Sequence, residues 1–326
     1  PTMPVDEILG LSKNELEIVQ LSWLRRRFLD LKERIPSLKQ LSLKQGVDDF
    51  SSLNEATKVF FTHKVYKSYP LTLIEKKKFE LLTKWLDKLT IHNLSQIDMK
   101  GVSSIDEWMD RLDANGMLMI HSTGTTGKLS FIPRSESERP GWANGWYQVL
   151  EALTGVNIKK KKMPVFFPGY RTGRQIANKL VGTFGPEMAG DDSEYHVVFD
   201  SHMSADFMSL AGRLRAAQAK GELGKLDMIK ALVKSKGELI KIKKQRPKLM
   251  KAWFDKMINE YRGRQVFVMA TYPDLIKAAI EGLKNGIKGA FHPDSILISG
   301  GGMKGYEPPE NWKEIVKEFY GVNNIY

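Results

Sequence analysis

The chain contains no cysteine. Disulfides, thiolate metal sites and cysteine nucleophiles are thereby excluded, and a reducing compartment, the cytoplasm, is the expected setting. Histidine is scarce. His63, His92, His121, His196, His202 and His292 include no H-x-x-x-H pair, so a zinc site is not expected. No apolar run approaches the ~20 residues of a membrane helix, and no transmembrane segment is expected. Asp6, Glu7, Glu15 and Glu17 stand where a secretory signal would need an apolar core. The G-x-S-x-G elbow of serine hydrolases is missing, and there is no internal repeat or low-complexity tract.

What remains is a globular balance. Of 326 residues, 42% are hydrophobic and 27% charged, enough for two ordinary domains or one large α/β domain. Lysine and arginine outnumber aspartate and glutamate 50 to 38, a net charge of +12. The excess is clustered at Arg25, Arg26 and Arg27, at Lys76, Lys77 and Lys78, at 159–162 and through 225–251. Such a charge suits nucleic acid, an anionic membrane or a polyphosphate. No groove-reading helix or aromatic platform accompanies the clusters, so they read as solvated faces, without a specific nucleic-acid partner.

Residues 1–112 read as a helical N-terminal region. Leu16, Val19, Leu24, Phe28 and Leu31 recur at near-helical spacing. Thr72 and Glu75 have the spacing of a capping box, with Ile74, Leu81, Leu82, Trp85 and Leu89 on one apolar face behind it. A second box, Ser104 and Glu107, opens a helix expected to end near Asn115 and Gly116. From 113 to 326 the texture changes. Short apolar runs at 117–120, 163–167, 196–199, 265–269 and 295–299 alternate with helical patterns. One of these helices begins at Thr271, Pro273 and Asp274. The fold class expected is α/β: a mostly parallel sheet flanked by helices, preceded by the helical region, with a lysine-rich helical insertion over 206–262.

The densest chemical signal is Ser122, Thr123, Gly124, Thr125, Thr126, Gly127 and Lys128, directly after His121 and the first apolar run. Glycine lets backbone N–H groups approach an anion closely, and hydroxyls and an ammonium add donors. This composition suits a triphosphate, and a ligand loop belongs at the carboxyl end of a strand in an α/β sheet. It is not a P-loop, which would need glycine at 122 and a hydroxyl at 129, where Ser122 and Leu129 stand. Nor is it a dinucleotide fingerprint, which fails at 122.

The loop resembles the Ser/Thr-Gly-Thr-Thr-Gly-x-Pro/Lys signature of adenylate-forming enzymes, the acyl-CoA synthetases and their relatives. Thr271, Tyr272, Pro273 and Asp274 look like that family's proline-initiated helix. Ile296 to Ser299 with Gly300, Gly301 and Gly302 look like its Gly-Gly turn, and Asn323 to Tyr326 like the lead into its aromatic-Gly-x-Thr-Glu motif. The resemblance covers 117–326. It implies that residues 122–128 hold the β- and γ-phosphates of ATP, that Gly300, Gly301 and Gly302 line the adenine and acyl pocket, and that Tyr326 stacks on adenine. It also implies a reaction. A carboxylate oxygen attacks the α-phosphate of Mg-ATP, an O–P bond forms, the bond to the β-phosphate oxygen breaks, and acyl-adenylate and pyrophosphate result. The acyl group then passes to coenzyme A or another acceptor. The family's Mg2+-binding glutamate and its C-terminal mobile domain would lie beyond Tyr326, so 113–326 is expected to be the front part of a larger enzyme.

Other signals leave alternatives open. Gly300 to Gly305 match G-x-G-x-x-G, but Pro308 and Pro309 delay the helix the motif should open. His121 reads as a phosphate-orienting group or a strand-end structural residue. Phe166 to Gly173 read as a strand end followed by an aromatic, basic turn, serving a pocket or the core. Trp142 and Trp146 read as packing. Two other functions compete with acid activation: a non-catalytic nucleotide- or acyl-binding protein, and a basic scaffold on nucleic acid or anionic membrane. Filter binding near physiological salt should show only weak, sequence-indifferent retention of RNA or DNA. Tight, sequence-selective retention would favour the scaffold.

Overall fold

A computed structural model of the chain describes residues 3–124, 126–222, 226–300, 302–303 and 305–326; for 6, 226–241 and 243 it describes the backbone only. The first helices are α1 (Val5–Gly10), α2 (Lys13–Leu31), α3 (Pro36–Gln45), α4 (Leu53–Ala56), α5 (Leu71–Glu75), α6 (Phe79–Leu86) and α7 (Ile105–Asp113). Strands β1 (Ile120–His121) and β2 (Phe131–Ile132) follow, then α8 (Arg139–Thr154), β3 (Val165–Gly173), α9 (Ile176–Ala189), β4 (Tyr195–Met203), α10 (Ala205–Ala219) and α11 (Leu226–Glu260). The chain ends with β5 (Phe267–Ala270), α12 (Tyr272–Lys284), β6 (Ile296–Ser299) and α13 (Trp312–Tyr320). The fold is α/β. It forms two compact units: residues 1–145 with 204–222, and residues 146–203 with 223–326.

The first unit is mostly helical. Its main core gathers Tyr69, Leu82, Leu86, Trp108, Leu112 and Phe131. Trp108 lies edge-on to Phe131 at 4.9 Å, and its indole N–H donates to Thr83 Oγ1 at 2.9 Å, which satisfies the one polar atom it buries. A smaller core of Phe28, Leu38, Val47, Phe50, Ala56 and Val59 holds α2 against the segments that follow it. The expected capping box at Thr72 does not form. Pro70 stands at the N-cap, α5 is only five residues long, and Lys77 adopts φ +53 before α6 begins. The expected single apolar face is therefore split, and Leu81 is exposed while Ile74, Leu82 and Leu89 are buried.

At α7 the expected box forms by half. Ser104 Oγ accepts from the Glu107 N–H at 3.1 Å, but the Glu107 carboxylate reaches the Ser103 N–H at 2.7 Å instead. The remaining donors of this first turn are taken from 100 residues away. Asp206 accepts from the Ile105 and Asp106 N–H groups, both at 3.0 Å. Asp106 in turn accepts from the Ala205 N–H at 2.8 Å and the Ser204 hydroxyl at 2.5 Å. Each helix, α7 and α10, thus carries the other's N-terminal cap.

The second unit holds a four-stranded, wholly parallel sheet in the order β4-β3-β5-β6. Side chains alternate between its faces. Phe166, Val268, Ala270 and Leu297 pack with Met257, Ile276 and Phe319 of α11, α12 and α13. Val165, Phe267 and Met269 meet Val181, Phe184 and Met188 of α9 on the opposite face. A sheet covered on both sides accounts for the near-continuous apolar runs. Four of the five runs noted above become these strands. The first, 117–120, belongs instead to the first unit, where it narrows to β1. The start of α12 is as expected: Thr271 caps it, accepting from the Asp274 N–H.

Burial, together with the Asp106 carboxylate, raises the pKa of Asp206 against the two backbone N–H groups that lower it. A carboxyl raised in the folded state stabilises fully only below its unfolded pKa, and that contribution fades as pH rises through the folded value. The melting temperature of the parent minus that of Asp206→Asn should therefore be larger near pH 4 than near pH 7. A pH-independent difference would show that Asp206 is not the titrating cap.

Candidate functional site

The glycine- and threonine-rich loop is built as the end of a hairpin. β1 and β2 pair antiparallel, Ile120 with Ile132 and His121 with Phe131. Beyond them Ser122 N–H donates to the Ser130 carbonyl at 3.1 Å, and Ser130 N–H donates to Ser122 Oγ at 2.9 Å. These two bonds close the hairpin at Ser122 and Ser130. The expected placement, at the carboxyl end of a parallel strand, is corrected. The chain turns back at once because Leu129 and Phe131 must reach the buried cluster around Trp108.

Both glycines are required by geometry. Gly124 has φ +63 and Gly127 φ +88, the left-handed region that side chains disfavour. The loop also lies directly against the middle of α10. A Cβ on Gly127 would come 2.9 Å from Ala216 Cβ, and a Cβ on Gly212 would overlap the Gly124 carbonyl oxygen. The helix presents its flank to the loop, so the N-terminus of α10 does not face it.

The hydroxyls have different neighbours. Ser122 is committed to the hairpin. Thr123 is half-buried and makes no hydrogen bond among the described residues. Thr126 is exposed and accepts from Lys67 Nζ at 3.3 Å. Thr125 lies outside the described residues. Lys128 does not extend along the loop. Its ammonium donates to the Tyr69 carbonyl and sits 4.2 Å from the Tyr69 ring centroid, where burial lowers its pKa. Tyr69 is itself fully buried, its hydroxyl donating to the Leu129 carbonyl at 2.9 Å. His121 is buried, with Nδ1 2.8 Å from the Ser122 carbonyl oxygen, in keeping with its structural reading.

Two cations beside the loop were not legible in the sequence. They are Lys67 and Arg213, the latter next to Gly212 on α10. The small residues at 212 and 216, one turn apart on that helix, are the only local sign that something packs closely there.

In the second unit, the turn after β6 begins at Gly300, and Gly302 has φ +63. Gly301 lies outside the described residues. The backbone of Tyr326 runs beside β6: its N–H donates to the Leu297 carbonyl at 2.8 Å, and its carbonyl accepts from Ser299 N–H at 2.9 Å. Tyr326 and the strand leading to Gly300 are thus brought together, with Tyr326 half-buried. The next helix starts only at Trp312, so the G-x-G-x-x-G spacing does not open a helix.

The sheet order adds a site that the motifs did not mark. β4 lies on one side of β3 while β5 and β6 lie on the other, so β3 and β5 flank a topological switch point. They pair only at Val165 with Phe267 and Phe166 with Val268. Beside this opening, between α11 and α12, is a cavity of about 360 Å³ floored by Pro168, Val268 and Ala270 and walled by Trp253, Phe254 and Tyr320. Lys251, Asp255, Asp274, Lys277 and Glu281 also line it, and its size and largely apolar surface suit a small organic ligand. The expected turn after Phe167 is corrected here: β3 continues to Gly173 with irregular register, Tyr170 stacks on Phe199 at 4.6 Å, and Arg171 pairs with Asp192 and Asp200. Trp142 and Trp146 are half-buried on α8.

Among the described residues no group of three or more histidine or acidic side chains is arranged to hold a metal ion, and no helix is long and apolar enough to cross a membrane. No protein-family model matches the chain, and no curated protein matches it.

The close approach at 212 has a measurable cost. Alanine is a better helix former than glycine by about 1 kcal/mol. Gly145→Ala on α8, with open space around its Cβ, should gain up to about that amount in urea unfolding. Gly212→Ala should instead lose about 1–3 kcal/mol, since backbone must move. Equal gains at both positions would show that the loop does not rest on α10.

Proposed function

We propose that the chain binds ATP through the 122–128 loop and serves the activation of a carboxylic acid to an acyl-adenylate, with coenzyme A or another nucleophile as acyl acceptor. The observation that supports this best is the loop itself: two left-handed glycines, the hydroxyls of Thr123 and Thr126, and cations at Lys67, Lys128 and Arg213 in one unit. Oriented N–H groups and concentrated positive charge are what a polyphosphate requires. Magnesium would arrive on ATP, held largely by the phosphates and water, as this ion commonly is.

Within the second unit, taken by itself, the cavity beside the switch point suits a hydrocarbon chain, and the backbone of Tyr326 lies beside the strand that leads to Gly300. In this reading the protein supplies no covalent nucleophile. It would hold two anions together and offset the charge that grows as carboxylate oxygen meets phosphorus.

Isothermal titration tests the assignment. Thr123→Val with Thr126→Val should weaken MgATP binding by at least about tenfold, roughly 1.4 kcal/mol, with an unchanged far-ultraviolet circular dichroism spectrum. Equal affinity in parent and double variant would remove the loop from the nucleotide site.

A further inference from the structure

Lys128, the loop's own cation, is turned onto Tyr69, and two further cations of the first unit stand near the loop. Lys67 closes the short helical turn Val65–Lys67, and its ammonium lies 3.3 Å from Thr126 Oγ1. Arg213 sits on α10 where that helix touches the loop; its Cα is 4.0 Å from the place a Gly127 Cβ would occupy.

The guanidinium of Arg213 is underused. Its side chain is 23% exposed, and its ion-pair partner is Glu75, with Nη1 to Oε1 at 3.4 Å. Charge-assisted pairs normally close to about 2.7–2.9 Å. Its buried Nε makes no hydrogen bond among the described residues. Glu75 is 44% exposed and is the last residue of α5, the end of a helix least suited to a carboxylate. Lys76, Lys77 and Lys78 follow it directly in the sequence. The planar fork of arginine matches phosphate oxygens in pairs, and among the described residues only its Nη1 has a hydrogen-bond partner.

We propose that Arg213 and Lys67 bind the terminal phosphates of the nucleotide, and that Glu75 holds Arg213 until a phosphate displaces it. The proposal rests on the reading of 122–128 as a polyphosphate loop. Lys67, Lys128 and Arg213 bring positive charge to this region, and among the described residues Glu75 is the carboxylate paired with Arg213. The site then discriminates by phosphate number: a triphosphate reaches Arg213, whereas a monophosphate leaves the Glu75 pair in place.

The test titrates the full chain with MgATP, AMP and inorganic tripolyphosphate at constant ionic strength. Arg213→Gln should weaken MgATP and tripolyphosphate by tenfold or more and leave AMP within twofold of the parent. Arg213→Lys should recover part of the loss. Glu75→Gln should tighten tripolyphosphate severalfold, a gain that a misfolded variant cannot produce. If the parent binds MgATP and Arg213→Gln binds it equally well, this proposal fails while the loop assignment stands. Unchanged or weaker tripolyphosphate binding in Glu75→Gln overturns the displacement. A parent that binds neither MgATP nor tripolyphosphate overturns the loop assignment and this proposal together.

Discussion

The contact between the Gly124 carbonyl and the bare Cα of Gly212 governs the candidate site. A hairpin loop with two left-handed residues has little rigidity of its own, since its backbone groups face inward only where something backs them. α10 is that backing, and it comes close because positions 212 and 216 carry almost no side chain. The same approach sets Arg213 at the loop. A larger residue at 212 would push away the surface on which the loop rests and also the cation that accompanies it. Packing and electrostatics are coupled through one missing methyl group.

The two units build their candidate sites by different means. In the second, a parallel sheet covered on both faces is rigid, and its opening arises from topology: β3 and β5 part after two paired residues and leave an apolar cavity beside them. In the first, short helices assemble around Trp108 and Tyr69, and the polar site sits at the rim of that cluster. Tyr69 shows how close the two functions lie. Its ring packs against Phe131, its hydroxyl holds the returning loop strand, and its carbonyl and face hold Lys128. A lysine held this way is partly desolvated, which disfavours its charged form.

The α/β class was readable from apolar runs alternating with helical patterns, because a buried parallel strand has no polar face to disguise it. Local capping rules found the starts of α7 and α12, where serine or threonine does what its short side chain allows. They failed at Thr72, where Pro70 sets the entry angle and a left-handed Lys77 ends the first turn. They also missed the caps of Asp106 and Asp206, since nothing local says that two aspartates 100 residues apart will exchange partners. The loop was conspicuous because its residue types are unusual together. Its setting was not, because 117–120 has the same apolar texture as the sheet strands. Lys67 and Arg213 were hidden for a plainer reason: a lone cation in a basic sequence has no signature until the fold shows what it stands beside.

The first unit is discontinuous, and this bears on how the protein is made. Residues 1–145 leave the ribosome without α10, and 146–203 must be synthesised before it appears. Until then the first turn of α7 has no Asp206, and the hairpin loop has no surface to settle on. Closing a long stretch of chain is slow more than it is unfavourable. The nascent chain therefore passes through an interval in which the Trp108 cluster lacks Ala205 and Met208 and the loop lacks the surface it rests on. A chaperone or protease acting in that interval would meet a half-assembled first unit whose hairpin loop is still unsupported.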